Sequence, residues 1–318
     1  MRKPRTLLYF ASDLHGSEKC FRKFLNAGPV YGAAVLVLGG DLAGKAIQAV
    51  VRQPQGHHRC TFRGATYDLT TEAELADLEQ LVADFGYYPY VTDPGELERR
   101  EADGTIKTLF LDLMRQRLQR WMEMADERLR PRGLPVYWML GNDDPVELDE
   151  VLDAAPWGTH ADGRVLTLPS GHELLSSGWS NVTPWHSYRE LEEERLEVEL
   201  RRMADQLAHP HTAIFNVHVP PYGTGIDDAP LLDEELRVQQ AVGQVKMAPA
   251  GSTAVRKLIE EVQPMLGLHG HIHESSGFRS LGQTLVVNPG SDYGTGVLNG
   301  VLVTLEPDRV RAHQFVRG

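Results

Sequence analysis

Only two cysteines, Cys20 and Cys60, occur in 318 residues. They form no C-x-x-C pair, which excludes a disulfide framework and leaves small buried residues or free thiols. Positive charge is also scarce: 32 Lys and Arg stand against 44 Asp and Glu, a net charge of −12. That argues against a broad basic surface for holding nucleic acid. Bound divalent cations would reverse the field locally, so a phosphate-bearing substrate stays admissible. No apolar run approaches the ~18 residues of a membrane span. The opening "MRKPRTLLYFASDLHG" sets basic residues before an apolar stretch. Yet "TLLYFA" is shorter than a secretory h-region of ~7–15 residues, and Asp13 and His15 follow at once. It reads as a first buried strand, and the expected location is the cytoplasm. Internal repeats, low-complexity tracts and linkers are missing as well.

What is present is an ordinary globular balance, 42% hydrophobic and 24% charged, enough to bury a large core. Strand-like apolar runs alternate with amphipathic helical stretches, the pattern of α/β proteins. Strands are expected at 6–12, 33–40, 134–142, 211–218, 264–271 and 283–290. Helices are expected at 17–28, opened by Ser17 and closed by Gly28, and at 106–129. A final hairpin over 300–315 turns at Pro307-Asp308. Residues 52–104 hold a hairpin around "CTFRGATYDL", a helix from Thr71 to Phe85 and the aromatic turn "GYYPY". Residues 164–209 hold a strand pair and a charged helix over 187–207. The whole chain, 1–318, is read as one domain carrying these two stretches as insertions.

Each apolar strand ends in polar residues. Asp13 and His15 lie in "SDLHG", Asp41 in "GGDLAG" and Asn142 in "GNDDP". His218 lies in "NVHVPP", and His271 and His273 in "GHIHES". Open α/β sheets place ligands at these carboxyl ends, so the clusters are expected to converge. Oxygen donors mixed with imidazoles, and no thiolate, suit Mn, Fe or Zn better than a structural zinc site. Seven donors exceed one tetrahedral shell, whereas two ions sharing a carboxylate use them all.

These motifs, D-x-H, G-D, G-N-x-D, a lone H and G-H-x-H in that order, resemble the calcineurin-like metallophosphoesterases, from about residue 6 to about residue 292. The stretches "GWSNVTPW", "NVHVPPYGTGID", "GSTAVRKLIEEVQP" and "GHIHESSG" resemble an Icc-related prokaryotic branch. The resemblance implies an α/β fold of two facing mixed β-sheets flanked by helices, a four-layer α/β/β/α sandwich. It implies one divalent ion on Asp13, His15, Asp41 and His273, and a second on Asp41, Asn142, His218 and His271, with Asp41 bridging. Manganese is the first choice, and Fe, Zn or Ni also suit the donors. The implied reaction is hydrolysis of a small phosphate ester by a hydroxide bridging the ions, with Asn142 and Asp143 at the catalytic positions. Asp143 stands where many members carry a histidine that helps the leaving group. An anionic side chain there is a poor general acid, which favours phosphodiesters. A phosphomonoesterase acting on nucleotides or proteins, and a non-catalytic binding scaffold on the same fold, are the alternatives. Oligomeric state is not legible.

Other features have plainer readings. His269, two residues before the family motif, belongs to the core. His57, His58 and Cys60 in "GHHRC" make a poor metal site, because adjacent residues seldom face one ion. "GGDLAGKA" mimics a phosphate-binding G-x-x-x-x-G-K loop but has Ala46 where Ser or Thr is needed. "GYYPY" either lines a pocket or covers the core, the latter being simpler. Trp185 and His186 are candidates to approach the ions.

Overall fold

The computed structural model describes residues 4–318, and its centre is a pair of six-stranded mixed sheets. The first runs Arg309–Arg317, Asn299–Glu306, Thr6–Ala11, Val35–Gly39, Val136–Met139, Thr159–His160. The second runs Gly277–Leu281, Thr284–Asn288, Leu266–Leu268, Ile214–Val217, Glu173–Ser177, Arg164–Thr167. In the first sheet the strands from Thr6–Ala11 to Thr159–His160 run parallel, and the closing hairpin adds an antiparallel edge. In the second the strands from Thr284–Asn288 to Glu173–Ser177 run parallel, with an antiparallel partner on each side.

Strand alternation assigns the layers. Leu8, Phe10, Val35, Val37, Val301 and Val303 point one way from the first sheet and meet Leu174, Ile214, Leu266, Leu268 and Val287 of the second. Tyr9, Leu36, Leu38 and Trp138 point the other way, onto Phe21 and Phe24 of helix Glu18–Tyr31 and Leu118, Trp121 and Met122 of helix Ile106–Leu129. Leu175, Phe215, Val217 and Val286 leave the second sheet's far face to pack on helices Glu193–Ala204 and Thr253–Val262. The period of two along each strand therefore builds three apolar seams. The result is the four-layer α/β/β/α sandwich.

A four-stranded sheet (Ala65–Leu69, His58–Phe62, Ile47–Arg52, Tyr88–Thr92) with helix Glu72–Asp84 keeps its own small core around Val50, Phe62, Leu78 and Val82. Its helix is opened by a reciprocal capping box between Thr71 and Glu74. The run after "GGDLAGK" enters the strand Ile47–Arg52, not the helix that a nucleotide-binding loop requires.

Two helix boundaries differ from expectation. The first helix runs through Gly28 and Pro29 and closes at Gly32, whose φ of 71° is left-handed. Gly28 is needed for packing instead, since a Cβ there would lie 2.2 Å from Leu134 Cδ2. The charged helix begins only at Glu193, beyond the expected start at 187. The preceding residues form a strap fixed by buried Arg189, which donates to the carbonyls of Asp144 (3.1 Å) and Pro145 (3.4 Å). The closing hairpin, the Ile106–Leu129 helix and the 58–69 hairpin lie where the sequence puts them.

Trp121 is fully buried and stacks on Phe21 with ring centroids 4.2 Å apart and planes 3° from parallel. Trp121→Ala is expected to cost ~3–5 kcal/mol of stability. Denaturant unfolding measures it, and a loss below about 1 kcal/mol would contradict this packing.

Candidate metal centre

The site grows from the carboxyl ends of the parallel strands. The turn after Thr6–Ala11 holds Asp13 and His15, the turn after Val35–Gly39 holds Asp41, and the turn after Leu266–Leu268 leads to His271 and His273. Asp13, His15, Asp41 and His271 all have left-handed backbones, with φ of 58°, 42°, 53° and 66°. Non-glycine residues seldom sit there, and such strain persists only where surroundings enforce it.

The enforcement is visible. Asp13, His15 and Gly16 amides donate to the carbonyls of Gly40 (3.0 Å), Asp41 (2.9 Å) and Leu42 (2.7 Å), lacing the first two turns together. Asp144, fully buried, accepts from the amides of Leu42 (2.9 Å), Ala43 (2.7 Å) and Gly141 (2.8 Å). One carboxylate thereby ties the Asp41 turn to the Asn142 turn. Burial, and then the Asp41 charge, push its pKa up to about 7, against the pull of those three amides. Arg117, buried beneath, donates to Gly16 O (2.6 Å) and Tyr87 O (3.2 Å).

Within this frame the donor atoms form two groups. In one, His15 Nε2 lies 3.0 Å from His273 Nε2 and 3.5 Å from Asp41 Oδ2, while His273 Nε2 lies 3.3 Å from Asp13 Oδ1. Ligand atoms of these four residues all fall within 4.8 Å of one another. In the other, Asn142 Oδ1 lies 3.1 Å from His218 Nε2 and 2.7 Å from His271 Nδ1, and His218 Nε2 is 3.4 Å from Asp41 Oδ1. Asp41 thus turns one carboxylate oxygen to each group. His218 Nδ1 donates to Gly39 O at 2.7 Å, which aims Nε2 inward. The Asn142 amide donates to Ser187 Oγ (2.8 Å), leaving Oδ1 for the cluster, and Ser187 is itself held by Glu190.

All seven strand-end residues are therefore brought together. Their charges shift one another strongly. Burial alone would raise the Asp13 pKa, but His273 and His218 beside it hold the carboxyl well below its usual range. Burial works against charge on His218, yet Asp41 and Asp13 outweigh it and push the pKa up to about 10. His271 is pushed down to about 3 by burial and by His218. Two imidazole nitrogens facing each other at 3.0 Å beside two carboxylates are a donor set that fits a divalent ion.

Asp143 lies beside the cluster, its amide donating to Asp41 Oδ1 at 3.0 Å. Its carboxylate pairs with Lys45 at 2.6 Å, a partner that sequence reading missed. Ser187, Glu190, Arg189 and Asp144 were missed too. Only Asp144 left a signal, as the final residue of G-N-x-D. His269 is buried, donates to Val217 O at 2.7 Å and is pushed down to about 4 by burial, a core histidine as expected. "GYYPY" covers the core: Tyr88 is buried, and its hydroxyl accepts from Gly44 N at 2.8 Å. A cavity of about 610 Å³ opens over Asp41, Asn142, His271 and His273, and Trp185, but not His186, lines it.

Asp149, His160 and Asp162 form a second group spaced for an ion. Arg189 already stands there, with nitrogens 2.9 Å from Asp149 and 3.1 Å from Asp162, and its charge opposes a cation. Among the described residues, His57, His58 and Cys60 form no such group.

No known family model matches the chain. The uncharacterized protein MJ1162 of Methanocaldococcus jannaschii is 35% identical over 119 residues, 36% of this chain and 47% of that protein. The match thus spans about half the length of that relative. The solved structure of TT1561 of Thermus thermophilus aligns over 99% of both chains with a TM-score of 0.54 and 15% identity. Another solved structure aligns over 99% of both chains with a TM-score of 0.56 and 14% identity. At such identity the likeness shows the fold alone. No helix among the described residues is long and apolar enough to cross a membrane.

At neutral pH the metal-free His218 carries a proton that an ion must displace, so affinity should climb as pH rises from 7 toward about 10. Calorimetric Mn²⁺ titration in buffers of different ionisation heat should find about one proton released per chain or more. Binding indifferent to pH between neutrality and the His218 pKa would contradict this electrostatic picture.

Proposed function

We propose that the chain belongs to the calcineurin-like metallophosphoesterases and hydrolyses small phosphate esters, diesters in preference to monoesters, with two divalent ions. The observation that carries this reading is the Asp41 carboxylate, one oxygen turned to the His15–His273 group and the other to the His218–Asn142 group. Asp13, His15, Asp41 and His273 would hold one ion, and Asp41, Asn142, His218 and His271 the other. Bound there, two ions acidify water and neutralise charge on phosphoryl oxygens. The oxygen and imidazole donors favour manganese, with Fe, Zn or Ni acceptable.

The chain's own residues do the rest. Ser187 keeps the Asn142 oxygen turned inward. Trp185, Tyr188, Phe110 and Met114 wall the cavity with apolar surface, which excludes water around a bound ester. Asp143, ion-paired with Lys45, offers no proton to a departing alkoxide. Esters whose leaving oxygen needs no proton, aryl diesters among them, are the substrates that suit. This reading takes 1–318 as one catalytic domain, with 52–104 and 164–209 as insertions, working in the cytoplasm.

Asp41→Asn is the discriminating variant. Bis(p-nitrophenyl) phosphate turnover is expected to fall by more than ~100-fold, and metal analysis to find fewer than two ions per chain. The reading is overturned if the wild-type chain, offered each candidate ion, retains none and cleaves neither that diester nor p-nitrophenyl phosphate.

A further inference from the structure

Lys45 belongs to the run "GGDLAGK", which is not a nucleotide-binding loop, and the donor groups above leave it without a task. Its position is nonetheless tightly fixed. Gly44 just before it donates to Tyr88 Oη at 2.8 Å, and a Cβ at 44 would lie 2.1 Å from Gly86 O. The backbone is thus pressed between the Asp41 turn and the small sheet, and Lys45 starts from a fixed point. From there its side chain reaches the cavity that Asp41, Asn142, Asp143, His271 and His273 also line. Its ammonium stands 2.6 Å from Asp143 Oδ2, and 48% of the side chain remains exposed. The Lys45 ammonium is thus ion-paired on one side and open on its cavity side.

We propose that Lys45 and Asp143 act as a specificity-determining pair: the Lys45 ammonium, held by Asp143, meets a phosphoryl oxygen of the substrate, while the carboxylate beside it disfavours the second charge of a monoester, so that singly charged phosphodiesters are selected. The inference deepens the proposed function and rests on it. Asp143 takes one of the three ammonium N–H groups and offsets the lysine's charge within the pair, which leaves N–H groups for a substrate oxygen. A monoester dianion spreads its charge over three terminal oxygens, and one directed toward this pair also meets the Asp143 carboxylate. A diester has only two terminal oxygens, so an esterified, uncharged oxygen can face Asp143 instead. Like charges so close in a partly buried cavity are costly. The rest of the cavity agrees: Phe110, Met114, Trp185, Tyr188 and Pro230 offer a mostly apolar wall for the organic groups of an ester. Trp185 and Tyr188 are 67% and 56% exposed, free to lie against a ring.

The test compares wild type with Lys45→Met, Lys45→Arg and Asp143→Asn, each at equal bound metal. Calorimetry at mildly alkaline pH measures the affinity for dimethyl phosphate, a monoanion, and inorganic phosphate, a dianion. In parallel, kcat/KM is taken for bis(p-nitrophenyl) phosphate and p-nitrophenyl phosphate. Lys45→Met should weaken dimethyl phosphate about tenfold, the worth of one charge-assisted hydrogen bond, and Lys45→Arg should restore most of it. Asp143→Asn should tighten inorganic phosphate relative to dimethyl phosphate, and raise the monoester-to-diester ratio of kcat/KM, by about tenfold. The inference is overturned if Lys45→Met leaves dimethyl phosphate affinity within about twofold, or if Asp143→Asn leaves both ratios unchanged. A wild type that cleaves neither ester while its anion affinities shift as stated would sink the hydrolase reading and spare the lysine's role. Normal diester turnover with unmoved ratios would do the reverse.

Discussion

The most demanding feature of this molecule is the Asp41 carboxylate, buried and facing two groups of lone-pair donors at once. Two carboxylates, four imidazoles and one amide oxygen are crowded into a few ångströms, with only His271 and His273 partly open to the cavity. Taking such groups out of water is costly unless charge compensates them. The groups compensate one another in part: Asp41 and Asp13 drive the His218 pKa up against burial, while burial drives His15 and His271 down. A cluster whose rings are driven in opposite directions is one that could hold a cation. Its left-handed turns, at Asp13, His15, Asp41 and His271, are the backbone counterpart of the same strain.

That strain is tolerated because the scaffold beneath it is stiff. The donors sit on short turns leaving fully buried strands, with the Asp13 and Asp41 turns joined by amide-to-carbonyl bonds. Asp144 and Arg117 then act from below, as one carboxyl group gathering three amides and one guanidinium gathering two carbonyls. Neither lies among the donor atoms, yet the donor geometry follows from both. Small side chains matter for the same reason. A Cβ at Gly270 would lie 2.2 Å from Ser12 Oγ and 2.3 Å from Asp13 Oδ2, so only glycine lets the turn carrying His271 approach the one carrying Asp13.

The donors are legible in the sequence because each follows directly on an apolar strand, where periodicity and burial fix position. The sandwich is legible only through resemblance, since alternation alone does not say how many sheets the strands form. What stays hidden has a common cause. Ser187, Arg189 and Glu190 lie in a run whose charges spell a solvated helix, and the helix does start, but at Glu193. Nothing local announces that Arg189 finds buried carbonyls and the carboxylates of Asp149 and Asp162 across the fold. Long-range pairing overrides local propensity there. Lys45 is hidden differently. It reads as part of a phosphate-loop pattern and falls with it, although its pairing with Asp143, far along the chain, does not depend on that pattern.

These two kinds of residue divide the work of the site. The clustered donor groups hang on turns that the sheets hold rigid, where any shift would disturb several short contacts together. The cavity wall is drawn from elsewhere: Phe110 and Met114 from a long helix, Trp185 and Tyr188 from the strap, Pro230 and Leu232 from the excursion after His218. Exposed wall residues on such segments can change without disturbing the donor cluster, so the wall and the cluster can vary separately. Lys45 and Asp143 belong to neither class cleanly. They sit where the rigid turns meet the variable wall, and there a single ion pair faces both the donor cluster and the cavity above it.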